Sequence, residues 1–171
     1  MESEPELCQR ILEMLLHIKI EKLVCTQAER TMQETVDSKS ARFDVYTGDG
    51  KQVFDMEIQT TNKTNLPKRA RYYQSVIDMD NLSHGEDYGR LKDTYVIFLC
   101  LERPFKKSLP VYFFKNTCRD NPELKLNDRA YKVFFNASEY DKITKINILR
   151  LQVYAWSQNM LDFQKRLSET Y

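Results

Sequence analysis

The stretch Tyr95-Val96-Ile97-Phe98-Leu99-Cys100-Leu101 is continuously apolar and favours β structure, with no polar residue at alternate positions. Such a run suits a strand covered on both faces, so it predicts the central strand of a sheet with layers on either side. Val111-Tyr112-Phe113-Phe114 and Tyr131-Lys132-Val133-Phe134-Phe135 read as further strands, joined by the polar loop Asn116 to Arg129. The 171 residues, 42% of them hydrophobic, are enough for one sizeable core, and residues 1–171 are expected to form a single domain.

A hairpin precedes the central strand. Ala41 to Thr47 and Gln52 to Gln59 alternate and flank Gly48-Asp49-Gly50-Lys51, whose glycines supply the conformations of a tight turn. Phe43 and Val45 share one face of the first arm, as do Phe54, Met56 and Ile58 of the second. The opposite face presents Asp44 together with Asp55, Glu57 and Gln59. Simple pairing about the turn sets Asp55 or Phe54 nearest to Asp44 and leaves Glu57 a diagonal step away, roughly 7–8 Å between Cβ atoms. A bulge or bend would close that gap.

Helices are expected at both sides of these strands. Residues Glu6 to Lys19 carry Leu7, Ile11, Met14/Leu15 and Ile18 at helical spacing. Ile20 to Asp37 reads as a short strand followed by a loop. From Leu66 to about Leu82 a helix is predicted, with Asn65 able to cap it and Pro67 tolerated in its first turn. Ala70, Tyr73 and Ile77 form its apolar line, and Lys68, Arg71, Gln74/Ser75 and Asp78 a polar one. A C-terminal helix at about 138–168 carries a seam of Ile146, Leu149, Val153, Trp156, Met160, Phe163 and Leu167. The seam suits a helix laid on the sheet or on the first helix, or else a homodimer contact.

Charge narrows the partners. Charged residues make up 30% of the chain but the net charge is only +1, so no broad basic field draws the molecule onto nucleic acid. A local patch is available: Lys63 to Arg71 holds four cations in nine residues, directly after the hairpin. Cys8, Cys25, Cys100 and Cys118 lack the spacing of a zinc site or redox pair and are expected as buried, reduced thiols. The N-terminus has no basic signal region, and no apolar run reaches the ~18–20 residues of a membrane span, so a cytoplasmic location is expected. His17 and His84 have no nucleophile signature beside them and read as structural or exposed.

Phosphodiester hydrolysis with a metal ion needs hard oxygen ligands, open positions for water and phosphate, and a cation against the extra negative charge of the transition state. The hairpin supplies the oxygens in Asp44 and Glu57, with the Ile58 carbonyl as a further ligand and Asp55 as a rival. On spacing alone this is weak evidence, since most acids on strands are simply solvated. The order Arg-Phe-Asp-Val, a glycine-containing turn, Asp-Met-Glu-Ile-Gln and then Leu-Pro-Lys-Arg-Ala-Arg-Tyr-Tyr-Gln-Ser is far more specific. It resembles the recombination-promoting nuclease (Rpn) and PD-(D/E)xK transposase family, and the similarity runs over roughly residues 5–136.

That resemblance implies an α/β, restriction-endonuclease-like core, a mixed sheet flanked by helices, with Mg²⁺-dependent endonuclease activity on DNA, Mn²⁺ being a possible substitute. Asp44 and Glu57 would hold the metal, with Glu13 of the first helix as a candidate to complete the shell. Gln59 stands where the wider superfamily has Lys; an amide orients water but carries no charge. Lys68 or Arg71, or less favourably Lys39, would supply that charge. Lys68, Arg71, Tyr72 and Gln74 form the expected substrate-facing surface. A role in recombination or mobile-element movement follows from the resemblance alone. Two rivals stand beside it: an inactive nuclease-fold module that binds nucleic acid or protein, and a toxin-like or defence nuclease acting on RNA or invading DNA.

Overall fold

The computed structural model describes residues 4–23, 25–32, 41–61 and 64–142. Helix α1 (Glu4–Leu16) is followed by strands β1 (Cys25–Met32), β2 (Ala41–Gly48) and β3 (Gln52–Gln59), then by helix α2 (Leu66–Asp80) and strands β4 (Asp93–Cys100), β5 (Val111–Phe114) and β6 (Ala130–Asn136). The strands form one six-stranded sheet in the order β1-β2-β3-β4-β6-β5. The pairs β1–β2, β2–β3 and β5–β6 are antiparallel, and β3–β4 and β4–β6 are parallel. This is the mixed α/β sheet flanked by helices that the resemblance implies.

Strand β4 is central, and its residues from Thr94 to Cys100 are all buried. Its alternate side chains enter two separate cores. On one face Tyr95, Ile97 and Leu99 join Val45, Phe54 and Met56 under Cys8, Ile11, Leu12 and Leu15 of α1. On the other, Val96, Phe98 and Cys100 join Tyr46 and Val53 under Leu66, Ala70, Tyr73, Val76 and Ile77 of α2. Register partners stack across the sheet: Phe54 on Tyr95 at 5.1 Å and Tyr95 on Tyr131 at 4.7 Å on the α1 side, Phe98 on Phe134 at 5.3 Å on the α2 side.

The helices end sooner than periodicity suggests. α1 stops at Leu16 because His17 adopts a left-handed φ of 53°, which takes the chain out of the helix. Asn65 opens α2 with its carbonyl, accepting Arg69 N–H at 2.9 Å, but its side chain makes no capping bond. Among the described residues Cys8, Cys100 and Cys118 are free thiols; Cys118, in the loop before β6, is half-buried rather than buried as expected, whereas burial pushes Cys8 and Cys100 up to about 12, which makes both unreactive. No helix among the described residues is long and apolar enough to cross a membrane. The chain from Ala137 to Lys142 forms 3-10 turns; the remainder of the predicted C-terminal helix, its apolar seam and Lys39 lie outside the described residues.

Candidate active site

The hairpin register decides which acids meet. Gly48 pairs with Val53, and the ladder continues to Val45 opposite Met56, so its next step sets Asp44 opposite Glu57. The turn therefore closes two residues later along β3 than the simple count assumes. Asp55 lies opposite Tyr46 rather than Asp44, which corrects the expected diagonal. At the end of the ladder Asp44 and β3 clasp each other: Asp44 N donates to Glu57 Oε1 at 3.0 Å, and Ile58 N donates to Asp44 Oδ2 at 2.9 Å. Ile58 thus meets Asp44 through its backbone N–H.

Period-two alternation turns Asp55, Glu57 and Gln59 toward α2, and all three are buried, Asp55 and Glu57 fully so. Arg69, in the first turn of α2, reaches down to them. Its guanidinium is ion-paired through Nη2 with Glu57 Oε2 and donates through Nη1 to Gln59 Oε1 at 3.0 Å. Gln59 Nε2 in turn donates to the Thr61 carbonyl at 2.5 Å. The rings of Tyr73 and Phe98 flank the guanidinium, with centroids 5.0 and 5.2 Å away. Tyr73 follows Arg69 by one helical turn, and Phe98 is the register partner of Glu57 on β4.

Burial and mutual repulsion shape the charges. Glu57 is pushed up to about 7, by burial first and by Asp44 second, although Arg69 and the Asp44 N–H pull it down. Asp55 is held well above the usual carboxylate range, by burial, then by Glu57 and Asp44. The near neighbour of the Asp55 oxygens is the Glu57 carboxyl, which offers no donor while ionised, so a proton on Asp55, shared toward Glu57, is the arrangement that avoids a bare buried charge. For Arg69 burial opposes the charge, but Glu57 and Tyr73 outweigh it and raise its pKa.

The other candidates from the sequence are distributed differently. Lys68, Arg71 and Tyr72 lie exposed on α2. Gln74 does not: it is only 7% exposed and donates to Asp78 Oδ1 at 3.0 Å, since it extends the buried face of α2 instead of the solvated one. Glu13 is not brought to the acids either. It accepts Ile20 N–H at 2.8 Å and fastens the turn after α1, the helix on the opposite face of the sheet. Arg69 went unassigned within the basic run; its position three residues after Leu66 and four before Tyr73, both buried, was the available signal.

The model of the PD-(D/E)XK nuclease family transposases matches residues 1–159. The chain belongs to this family. No curated protein and no solved structure matches it. Membership supports a nuclease- or transposase-related function, and PD-(D/E)XK nucleases generally use divalent metal ions.

The donors here fit such an ion in kind: three hard carboxyl groups on adjacent strands oppose one another's ionisation, and the buried Asp55 oxygens face only the Glu57 carboxyl. They do not yet form a cage. Among the described residues no group of three or more His, Cys, Asp or Glu is arranged to hold a metal. Both Glu57 oxygens are engaged, one by Asp44 N–H and one by Arg69. A surface cleft of about 470 Å³, rimmed by Lys19, Lys51, Arg90, Lys92 and Arg129, lies at the Gln52–Asp93 end of β3 and β4, away from Glu57 and Gln59.

Proposed function

We propose that this chain is a metal-dependent DNA endonuclease, with Asp44 and Glu57 as the ligands of a divalent ion, Mg²⁺ or Mn²⁺. The observation that carries the reading is the Asp44–Glu57 clasp, which sets two carboxyl groups from neighbouring strands side by side within the residues that the family model matches. When bound, the ion would lower the pKa of a water molecule and offset charge on the phosphate. Glu57 and Asp44 hold the site, and Gln59 orients water through its amide. Burial and the neighbouring acids hold Asp55 well above the usual carboxylate range, which limits the negative charge it sets against the incoming phosphate.

Arg69 supplies the positive charge that the amide of Gln59 lacks. This assigns the electrostatic role one residue beyond Lys68 and two before Arg71, the cations that periodicity favoured. Lys68 and Arg71 are exposed on α2 and suit contacts to the DNA backbone, which position the duplex without reading its sequence. Tyr72 joins that surface, whereas buried Gln74 is left to a structural role. Recombination or mobile-element movement is the setting that the family suggests.

Plasmid relaxation tests the reading. Wild-type protein with Mg²⁺ should nick or linearise DNA, a chelator should stop it, and Asp44→Ala should lose roughly a thousandfold or more in rate. Cleavage by Asp44→Ala at the wild-type rate would sink it. One observation favours a second reading, a binding module that has lost catalysis: Glu57 is fully buried and closed by Arg69. That module would show no Asp44-dependent metal binding and no cleavage in either metal.

A further inference from the structure

Everything that holds Glu57 in place is backbone or buried side chain except one group. Asp44 N–H is fixed by the end of the β2–β3 ladder, and the Glu57 carboxylate is 0% exposed, whereas the Arg69 side chain is 28% exposed. Arg69 stands on the rim of α2, reaches inward past Tyr73 and Phe98, and bonds both Glu57 and Gln59. It is therefore the member of this group that can leave for solvent without unmaking the sheet.

Its position also sets it against any other cation. A divalent ion drawn to the Glu57 carboxylate meets the like charge of the guanidinium in surroundings that screen poorly. The carboxylate oxygen it needs is already donated to, and Gln59 is held by the same guanidinium. We infer that Arg69 is a latch on the acid pair: with no divalent ion bound it closes Glu57 and holds Gln59, and it must swing outward before such an ion can enter. The inference rests on the nuclease reading, because it takes Glu57 as a ligand. It deepens that reading by giving Arg69 two positions, inward on Glu57 before loading and outward toward phosphate afterwards. Arg69 thus opposes metal entry even though cleavage depends on it.

The sign of that opposition is the test. A closed latch lowers apparent affinity by the fraction of molecules that are open, so weakening it tightens binding. Mn²⁺ titration without nucleic acid should show Arg69→Gln binding roughly tenfold tighter than wild type, Arg69→Lys in between, and Asp44→Asn without binding. In the plasmid assay Arg69→Gln should nevertheless cut more slowly. If Arg69→Gln binds Mn²⁺ no better than wild type while Asp44→Asn still abolishes binding, the latch is overturned and the metal site stands. If neither wild type nor either Arg69 variant binds Mn²⁺, both readings fall together.

Removing Arg69 leaves a buried carboxylate without its partner, so a measurement on unaltered protein is needed as well. Modification of wild-type protein by phenylglyoxal, read residue by residue by mass spectrometry, provides it. Mn²⁺ should speed modification at Arg69 several-fold while leaving exposed Arg71 unchanged. Bound Mn²⁺ with an unchanged or slower Arg69 rate would overturn the latch.

Discussion

On the α1 face of β3, Phe54 and Met56 lie among aliphatic and aromatic side chains; on the α2 face of the same strand, Asp55, Glu57 and Gln59 are buried as deeply. One face removes apolar surface from water, which favours folding at any pH. The other removes carboxylates from water, which opposes folding unless each is paired or protonated. Glu57 has Arg69 and the Asp44 N–H, while Asp55 is left to its proton. Depth of burial is the same on both sides of the strand, so chemistry alone separates the face that stabilises the molecule from the face suited to work.

The sharpest way to break this contrast is to damage the apolar face. Phe54→Ala should lower stability by about 3–5 kcal/mol in urea unfolding, by the same amount at pH 5 and pH 8, since the cavity it leaves has no charge to titrate. A loss that varies with pH would show that the two faces are not independent.

Next in size is the pH response of the α2 face. Glu57 titrates at about 7 in the folded chain against an ordinary 4.5, so its contribution to stability is complete below about pH 4.5 and is lost as pH rises through about 7. Asp55 is raised in the same direction. Metal-free protein should therefore be more stable at pH 5 than at pH 8, by on the order of 3 kcal/mol from Glu57, and Glu57→Gln should reduce the difference, leaving the part that Asp55 contributes. A wild-type profile that is already flat would remove the cost assigned to this face.

The smallest effect belongs to a charge pair outside both faces. Lys51 and Glu21 are 3.0 Å apart with side chains 77% and 76% exposed, and Lys51→Ala should leave the melting temperature unchanged within error. The same ions that matter beneath α2 are nearly idle in solvent, and a clear fall on removing Lys51 would contradict that.

Much of the architecture was legible because it rests on period. The unbroken apolar run gave β4, alternation gave both hairpin arms and their polar face, and Ala70, Tyr73 and Ile77 gave the buried side of α2. What stayed hidden depends on offsets smaller than a period. Counting from the glycines put Asp55 or Phe54 opposite Asp44, because the sequence does not state where the turn closes; relative to the Asp55 count, the two-residue shift keeps every side chain on its face and changes only its partner. Gln74 and Arg69 lie at the edges of a helical stripe, where a few degrees decide between core and solvent; the polar type of Gln74 suggested solvent, and Arg69 fell on neither line. Glu13 was nominated by analogy, and only the long-range bond to Ile20 N–H reveals its employment on the other side of the sheet.

The turn at Gly48 carries a last consequence. A Cβ at this residue would meet the Gln52 carbonyl oxygen at 2.5 Å, so only a bare backbone permits the closing approach from which all later pairings are counted. The separation of the two acids is in effect calibrated far from them, by a missing methyl group at the hairpin tip. A search for inactivating mutations confined to the neighbourhood of the carboxylates would overlook the position that aligns them.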